Sequence, residues 1–223
     1  MNTFFTKMGL VLRDVAIRKR IVFTLGALVV FRVLAAIPIP SVDTSRLAAF
    51  LSNNQFFGLL NIFSGGGLST LSIIMLGVGP YITGSIIMQL LTIMSPRLKA
   101  LYQEEGELGR RKFSQYSRML TVPLAIIQGY SFLALLQNQG AIGSLSTFDY
   151  VLNVAIITGG SMLIMWIGEL ISEFGIGNGV SLIIFAGIVA RLPVDASQFF
   201  FTYNPAQIPM YLAVLIAALL VIT

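Results

Sequence analysis

Gly65, Gly66 and Gly67 stand directly ahead of a long apolar run, with Ser64, Ser69 and Thr70 flanking them. A glycine inside a helix costs roughly 1 kcal/mol against alanine, so three in succession argue for a bent or broken backbone. Non-helical backbone at membrane depth is tolerated only where protein or a water-filled cavity surrounds it, and hydroxyls can satisfy the backbone groups that it frees. Small residues also allow close packing. The stretch from Ile62 to Leu91 therefore points to a cavity within a membrane protein, and a cavity points to passage. On the residues alone, an ordinary outer loop leading into a helix accounts for the glycines equally well.

Few other residues could do chemistry. The chain has no histidine and no cysteine, which removes the commonest acid/base group and metal ligand, the thiolate sites and any disulfide framework. Gly175-x-Gly177-x-Gly179 has the outline of a dinucleotide fingerprint but lies between apolar runs with no strand before it. Arg32 lies inside an apolar run; it either snorkels or bonds carbonyls of neighbouring helices. Glu169 and Glu173 sit close to a loop, which places them at the membrane interface rather than in a relay. No buried nucleophile and base stand out, so the chain does not read as an enzyme, and no cofactor or metal is expected. A solute transporter with a broken helix would need a polar or charged substrate cluster; the broken region offers only Gly, Ser and Thr. A membrane insertase without a continuous pore stays open as an alternative.

The elements that must position these residues follow from composition. The 223 residues are 56% hydrophobic and 10% charged, against about 25% charged in a soluble domain. A spanning helix needs about 20 predominantly apolar residues. Apolar runs cover 21–37, 71–94, 119–136, 151–171 and 178–191, and a sixth occupies 208–223 and looks cut inside a helix. The reading is an all-α polytopic membrane protein with about six transmembrane helices. Residues 1–20 form an amphipathic segment on the cytoplasmic surface, with Phe4, Phe5, Met8, Leu12 and Val15 at helical spacing. The first span is read as uncleaved, because its apolar run exceeds that of a signal peptide.

Eleven of the fourteen basic residues fall before the first run or between the second and third. The positive-inside rule then places the N-terminus in the cytoplasm. The net charge of +5 records these basic loops rather than nucleic-acid recognition.

Four blocks in order, VFRVLAAIPIPSVD (30–43), FSGGGLSTLSIIMLGVGPYITGSIIMQLL (63–91), EGELGRRKFSQYSR (105–118) and MWIGELISEFGIGNGVSLIIFAGIVARLP (165–193), resemble the SecY/Sec61-alpha family of protein-translocation channel subunits. The resemblance covers the N-terminal half of a ten-span channel. It implies a plasma-membrane subunit that passes unfolded secretory polypeptides and releases membrane segments sideways into lipid. It implies SecE, SecG, the motor SecA, the ribosome, signal sequences and translocating chains as partners, beside lipid. Residues 63–72 would be the re-entrant plug, comprising Phe63, Ser64, Gly65, Gly66, Gly67, Leu68, Ser69 and Thr70. Pro80, read as a kink within the second span, would belong to the lateral gate, and Gln89 would either join a polar gate contact or simply make a hydrogen bond near the cytoplasmic end.

The resemblance also aligns two i,i+4 pairs, Val78 with Ile82 and Val180 with Ile184, with the pore ring. An aliphatic ring fits loosely around any polypeptide and blocks ions by dewetting. Without the resemblance, packing against lipid or neighbouring helices is the better reading of both pairs. The rest of the ring would come from residues beyond this half. The mixed-charge stretch from Ser95 to Arg118 is a solvated topology signal to which the resemblance adds contact with cytoplasmic partners.

Overall fold

The computed structural model describes residues 14–40, 67, 68, 70–104, 106–190 and 193. Phe63, Ser64, Gly65, Gly66, Ser69 and the sixth apolar run lie outside the described residues, as do residues 1–13. All regular elements described are helices within one compact unit.

Helix α1 is Val15–Ala35, capped by Asp14, whose carboxylate accepts the Ala16 N–H at 2.8 Å. Its last residue lies three positions before Pro38, in line with the bias against helical backbone just ahead of a proline. No breaker interrupts it, so Arg18, Lys19 and Arg20 belong to the same helix as the first apolar run.

The run Leu71–Met94 is helical only in its second part, α2, Gly79–Met94. Pro80 sits in the first turn of α2. There the missing N–H costs nothing and the fixed φ suits a helix start. This corrects the expected mid-span kink: Pro80 starts a helix and bends none. Ahead of it, Thr70 to Val78 runs as successive turns, with φ of 44° at Leu71 and 54° at Gly77. A left-handed leucine costs roughly 1–2 kcal/mol. Packing and hydrogen bonds offset that cost. Leu68 and Leu71 are fully buried beside Leu133, Leu136 and Ile157. The Ile39 N–H donates to the Leu71 carbonyl at 2.8 Å, and the Ile73 N–H to the Ile37 carbonyl at 2.9 Å. The Thr70 hydroxyl donates to the Ala35 carbonyl at 2.9 Å. The broken segment is thus stitched to the end of α1.

Helix α3, Pro96–Gln103, and α4, Gly106–Asn138, take up most of the stretch expected to be a cytoplasmic loop. Arg110, Arg111, Lys112 and Arg118 ride on the first turns of α4, which continues through Pro123. Helix α5 is Thr147–Phe174, with Ser146 accepting the Asp149 N–H at its start. Helix α6 is Gly179–Val189. With 33 and 28 residues, α4 and α5 extend about 50 and 42 Å at roughly 1.5 Å per residue. Both are long and apolar enough to cross a bilayer. Aliphatic residues such as Val22, Val29 and Ile127 stand exposed on the outside of the bundle, as lipid-facing positions do.

Helix α5 is the hub, packing on α1, α2, α4 and α6. Glycines let it approach closely. A Cβ at Gly160 would overlap the Ile73 carbonyl, and one at Gly179 would overlap the Gly168 carbonyl. Helices α4 and α5 run antiparallel, joined at one end by Tyr150, whose hydroxyl donates to the Tyr130 carbonyl at 2.7 Å, and at the other by the Arg118–Glu169 ion pair.

Candidate functional site

Helices α2, α4, α5 and α6 surround a cavity of about 920 Å³. The first turns of α2 present Tyr81, Ile82 and Ser85 to it, and later turns Ile86 and Gln89. Helix α5 offers Trp166, Glu169 and Glu173, which share a face at helical spacing. Helix α6 offers Val180, Ser181 and Ile184. One wall is therefore aliphatic, at Ile82, Val180 and Ile184. The wall toward the basic ends of the helices is polar. A second polar cavity of about 570 Å³ continues there along Glu107, Arg110, Arg111 and Gln115 of α4.

The structure brings three of the four expected pore-ring residues to the cavity. Val78 differs: it is 5% exposed and packs with Ile74, Ile164 and Ile183, while Ile82, Val180 and Ile184 cover that cluster. The spacing of Val78 and Ile82 survives the break in the helix, because the Ile82 N–H still donates to the Val78 carbonyl at 3.0 Å. Of the two expected gate residues, Gln89 is exposed on the cavity and Pro80 is buried at the start of α2. Of the plug positions, Leu68 is fully buried, and Thr70 makes the bond to α1 described above.

The hairpin between α5 and α6 fixes the Val180–Ile184 face. Ser172 accepts the Gly179 N–H at 2.8 Å while donating to the Gly168 carbonyl at 3.0 Å. Asn178 caps α6 by accepting the Ser181 N–H at 3.1 Å. Gly177, at φ 71°, makes the turn, and Gly175 and Gly179 allow the close approaches. The three spaced glycines thus serve a helical hairpin.

Sequence reading missed the partner of Glu169. Arg118 reaches it from α4, 51 positions earlier, and the pair borders the cavity. The available signal was an arginine and a glutamate each at the same end of an apolar run, since charges at membrane depth seek each other.

A model of the SecY family matches residues 72–223. The chain belongs to the SecY family. It is similar to the protein translocase subunit SecY of Mycobacterium bovis, at 44% identity over 201 residues, covering 84% of this chain and 45% of that protein. It is also similar to the SecY subunit of Synechocystis sp., at 49% identity over 184 residues, covering 82% of this chain and 41% of that one. The chain spans about half the length of these SecY relatives or less. Its fold is similar to a Sec61 chain in a canine ribosome–channel complex from the endoplasmic reticulum, with TM-score 0.58 and 22% identity, over 92% of this chain and 43% of the other. A second neighbour is a SecY chain whose plug domain stabilises the closed translocation channel, with TM-score 0.57 and 23% identity, over 86% and 39% of the two chains.

Proposed function

We propose that this chain is the N-terminal half of the central pore-forming subunit of a protein translocation channel. It passes unfolded secretory polypeptides across the plasma membrane and releases apolar segments sideways into lipid. The observation that carries this reading is the convergence of Ile82, Val180 and Ile184, from two separate helices, on one cavity. A wall of this kind closes around a chain without binding it and excludes ions by dewetting. The rest of the seal comes from the other half of the channel, and residues 63–72 serve as its plug. SecE, SecG, SecA, the ribosome and signal sequences are the proposed partners, in keeping with the ribosome-bound Sec61 neighbour.

In the full-length channel in planar bilayers, Ile82→Ser and Ile184→Ser should each raise resting ion conductance by about tenfold or more, because a hydroxyl in the constriction favours water. Ile188→Ser, off the cavity, should match the parent. Equal resting conductance in all three would remove the seal from this wall.

The N-terminus is proposed to be cytoplasmic. Arg18, Arg97, Arg110 and Arg118 all lie toward the end of the bundle that holds the α5–α6 turn, and the positive-inside rule puts that end in the cytoplasm. Single cysteines at Lys112 and Asn138 test it. An impermeant thiol reagent added to intact cells should label Asn138→Cys alone; labelling of Lys112→Cys instead would invert the topology.

A further inference from the structure

Two adjacent residues of α1 grip the turn that carries the aliphatic wall. The Phe23 and Phe174 rings meet edge to face, with centroids 6.0 Å apart. Thr24, 8% exposed, donates its hydroxyl proton to the Arg20 carbonyl at 2.9 Å and accepts the Ile176 N–H at 3.2 Å. Gly175, between the two gripped residues, has no room for a side chain: a Cβ there would lie 2.5 Å from the Thr24 oxygen and 2.6 Å from the Ile171 carbonyl. The α1 backbone therefore comes close to the turn only because one residue is glycine and the other offers a hydroxyl.

Ile176 is three residues before Gly179, and the turn is short. Its other end is held by Ser172 on the Gly179 N–H, and Val180 follows at once. Ile176 is itself exposed, but its N–H bonds Thr24 at a part-buried contact, so removing the acceptor frees the turn at that point and a change at position 24 acts on the turn itself. We propose that Thr24 is a positioning residue for the seal: its hydroxyl fixes the α5–α6 turn and thereby the pose of Val180 and Ile184. This rests on the reading that those two residues seal the pore. It assigns to the first helix a part in closing a channel that it does not line, since no α1 residue borders the cavity.

The test compares Thr24→Val, Thr24→Ser and Phe23→Leu in the full-length channel with its partner subunits. Resting conductance is measured in planar bilayers, and amount and melting temperature are measured in detergent. Valine keeps the shape of threonine but cannot accept the Ile176 N–H. Thr24→Val should raise resting conductance several-fold at near-parental abundance. Thr24→Ser, which keeps the acceptor, should stay close to the parent, and Phe23→Leu, which weakens the ring contact but keeps the Thr24 hydroxyl, should leak less than Thr24→Val. Ile184→Ser, run alongside, reports on the seal reading by itself.

If Ile184→Ser leaks and Thr24→Val does not, the proposal fails and the seal stands. If neither leaks, the seal reading fails and the proposal falls with it. Equal leakage from Thr24→Val and Thr24→Ser would overturn the role of the hydroxyl. Thr24→Ala gives the same comparison should valine prevent accumulation. Loss of both proteins from the membrane would make Thr24 a folding residue and overturn the proposal.

Discussion

Gly160→Ala should cripple this protein, while Gly159→Ala, one position earlier on the same helix, should leave it as stable as before or slightly more so. At Gly160 the new methyl would overlap the Ile73 carbonyl, with the Ile73 carbonyl carbon and the Ile74 nitrogen close behind. Those are backbone atoms, so no rotamer change relieves the contact. Either α5 or the broken segment must move. Interiors packed like organic crystals transmit such strain, and overpacking costs typically about 1–3 kcal/mol, occasionally more. Gly160→Ala belongs at the upper end. At Gly159 a Cβ meets nothing within 4 Å, and alanine improves helix propensity by up to roughly 1 kcal/mol. Melting of the detergent-solubilised channel decides the matter: Gly160→Ala should melt well below the parent and Gly159→Ala at or above it. Equal melting of the two would mean that α5 does not rest on Ile73 as described.

The second large effect concerns the glycine-rich segment. On the proposed plug role of residues 63–72, removing Gly65 to Thr70 from the full-length channel should raise its resting ion conductance by an order of magnitude or more, because the proposed aliphatic seal would lose its cover. The deletion takes away Leu68, fully buried with Leu133 and Leu136, and the Thr70 bond to Ala35. A lower melting temperature is therefore expected together with the leak. Thr70→Val separates the two effects. It loses the bond to α1 but keeps the segment, so it should lower stability by roughly 1 kcal/mol with little leak. A deletion protein with parental resting conductance would reduce the segment to a structural loop.

The helical runs were legible because lipid demands continuous apolar sequence, and α1, α4 and α5 hold every residue of the runs assigned to them up to Ala35, Leu136 and Ile171. The break before Gly79 was not legible in position. Leu71 to Val78 is as apolar as the helix that follows, and only Pro80 marked the start of α2. The same proline read as a kink because sequence does not show where its helix begins. The pairs Val78/Ile82 and Val180/Ile184 were visible as spacings, but on spacing alone they pointed to lipid or neighbours; their convergence needs the α5–α6 hairpin, which depends on Ser172, Asn178 and three glycines. Nothing local distinguishes Gly159 from Gly160, since the difference is the arrival of Ile73 from 87 positions earlier. Thr24 looked like one more neutral residue in an apolar run, because its partner is 152 positions away.

The central claim is that the aliphatic wall surrounds a polypeptide in transit, and disulfide crosslinking to a halted chain tests it most directly. The protein has no cysteine of its own, so each introduced thiol reports alone. Cysteines at Ile82, Val180 and Ile184 of the complete channel should crosslink to a single cysteine in a stalled secretory chain. Val78, 5% exposed beneath them, should crosslink less. Phe185 and Ile188, which do not border the cavity, should not crosslink. No crosslink at Ile82, Val180 or Ile184 while translocation proceeds, or crosslinks as strong at Phe185 and Ile188, would contradict the account.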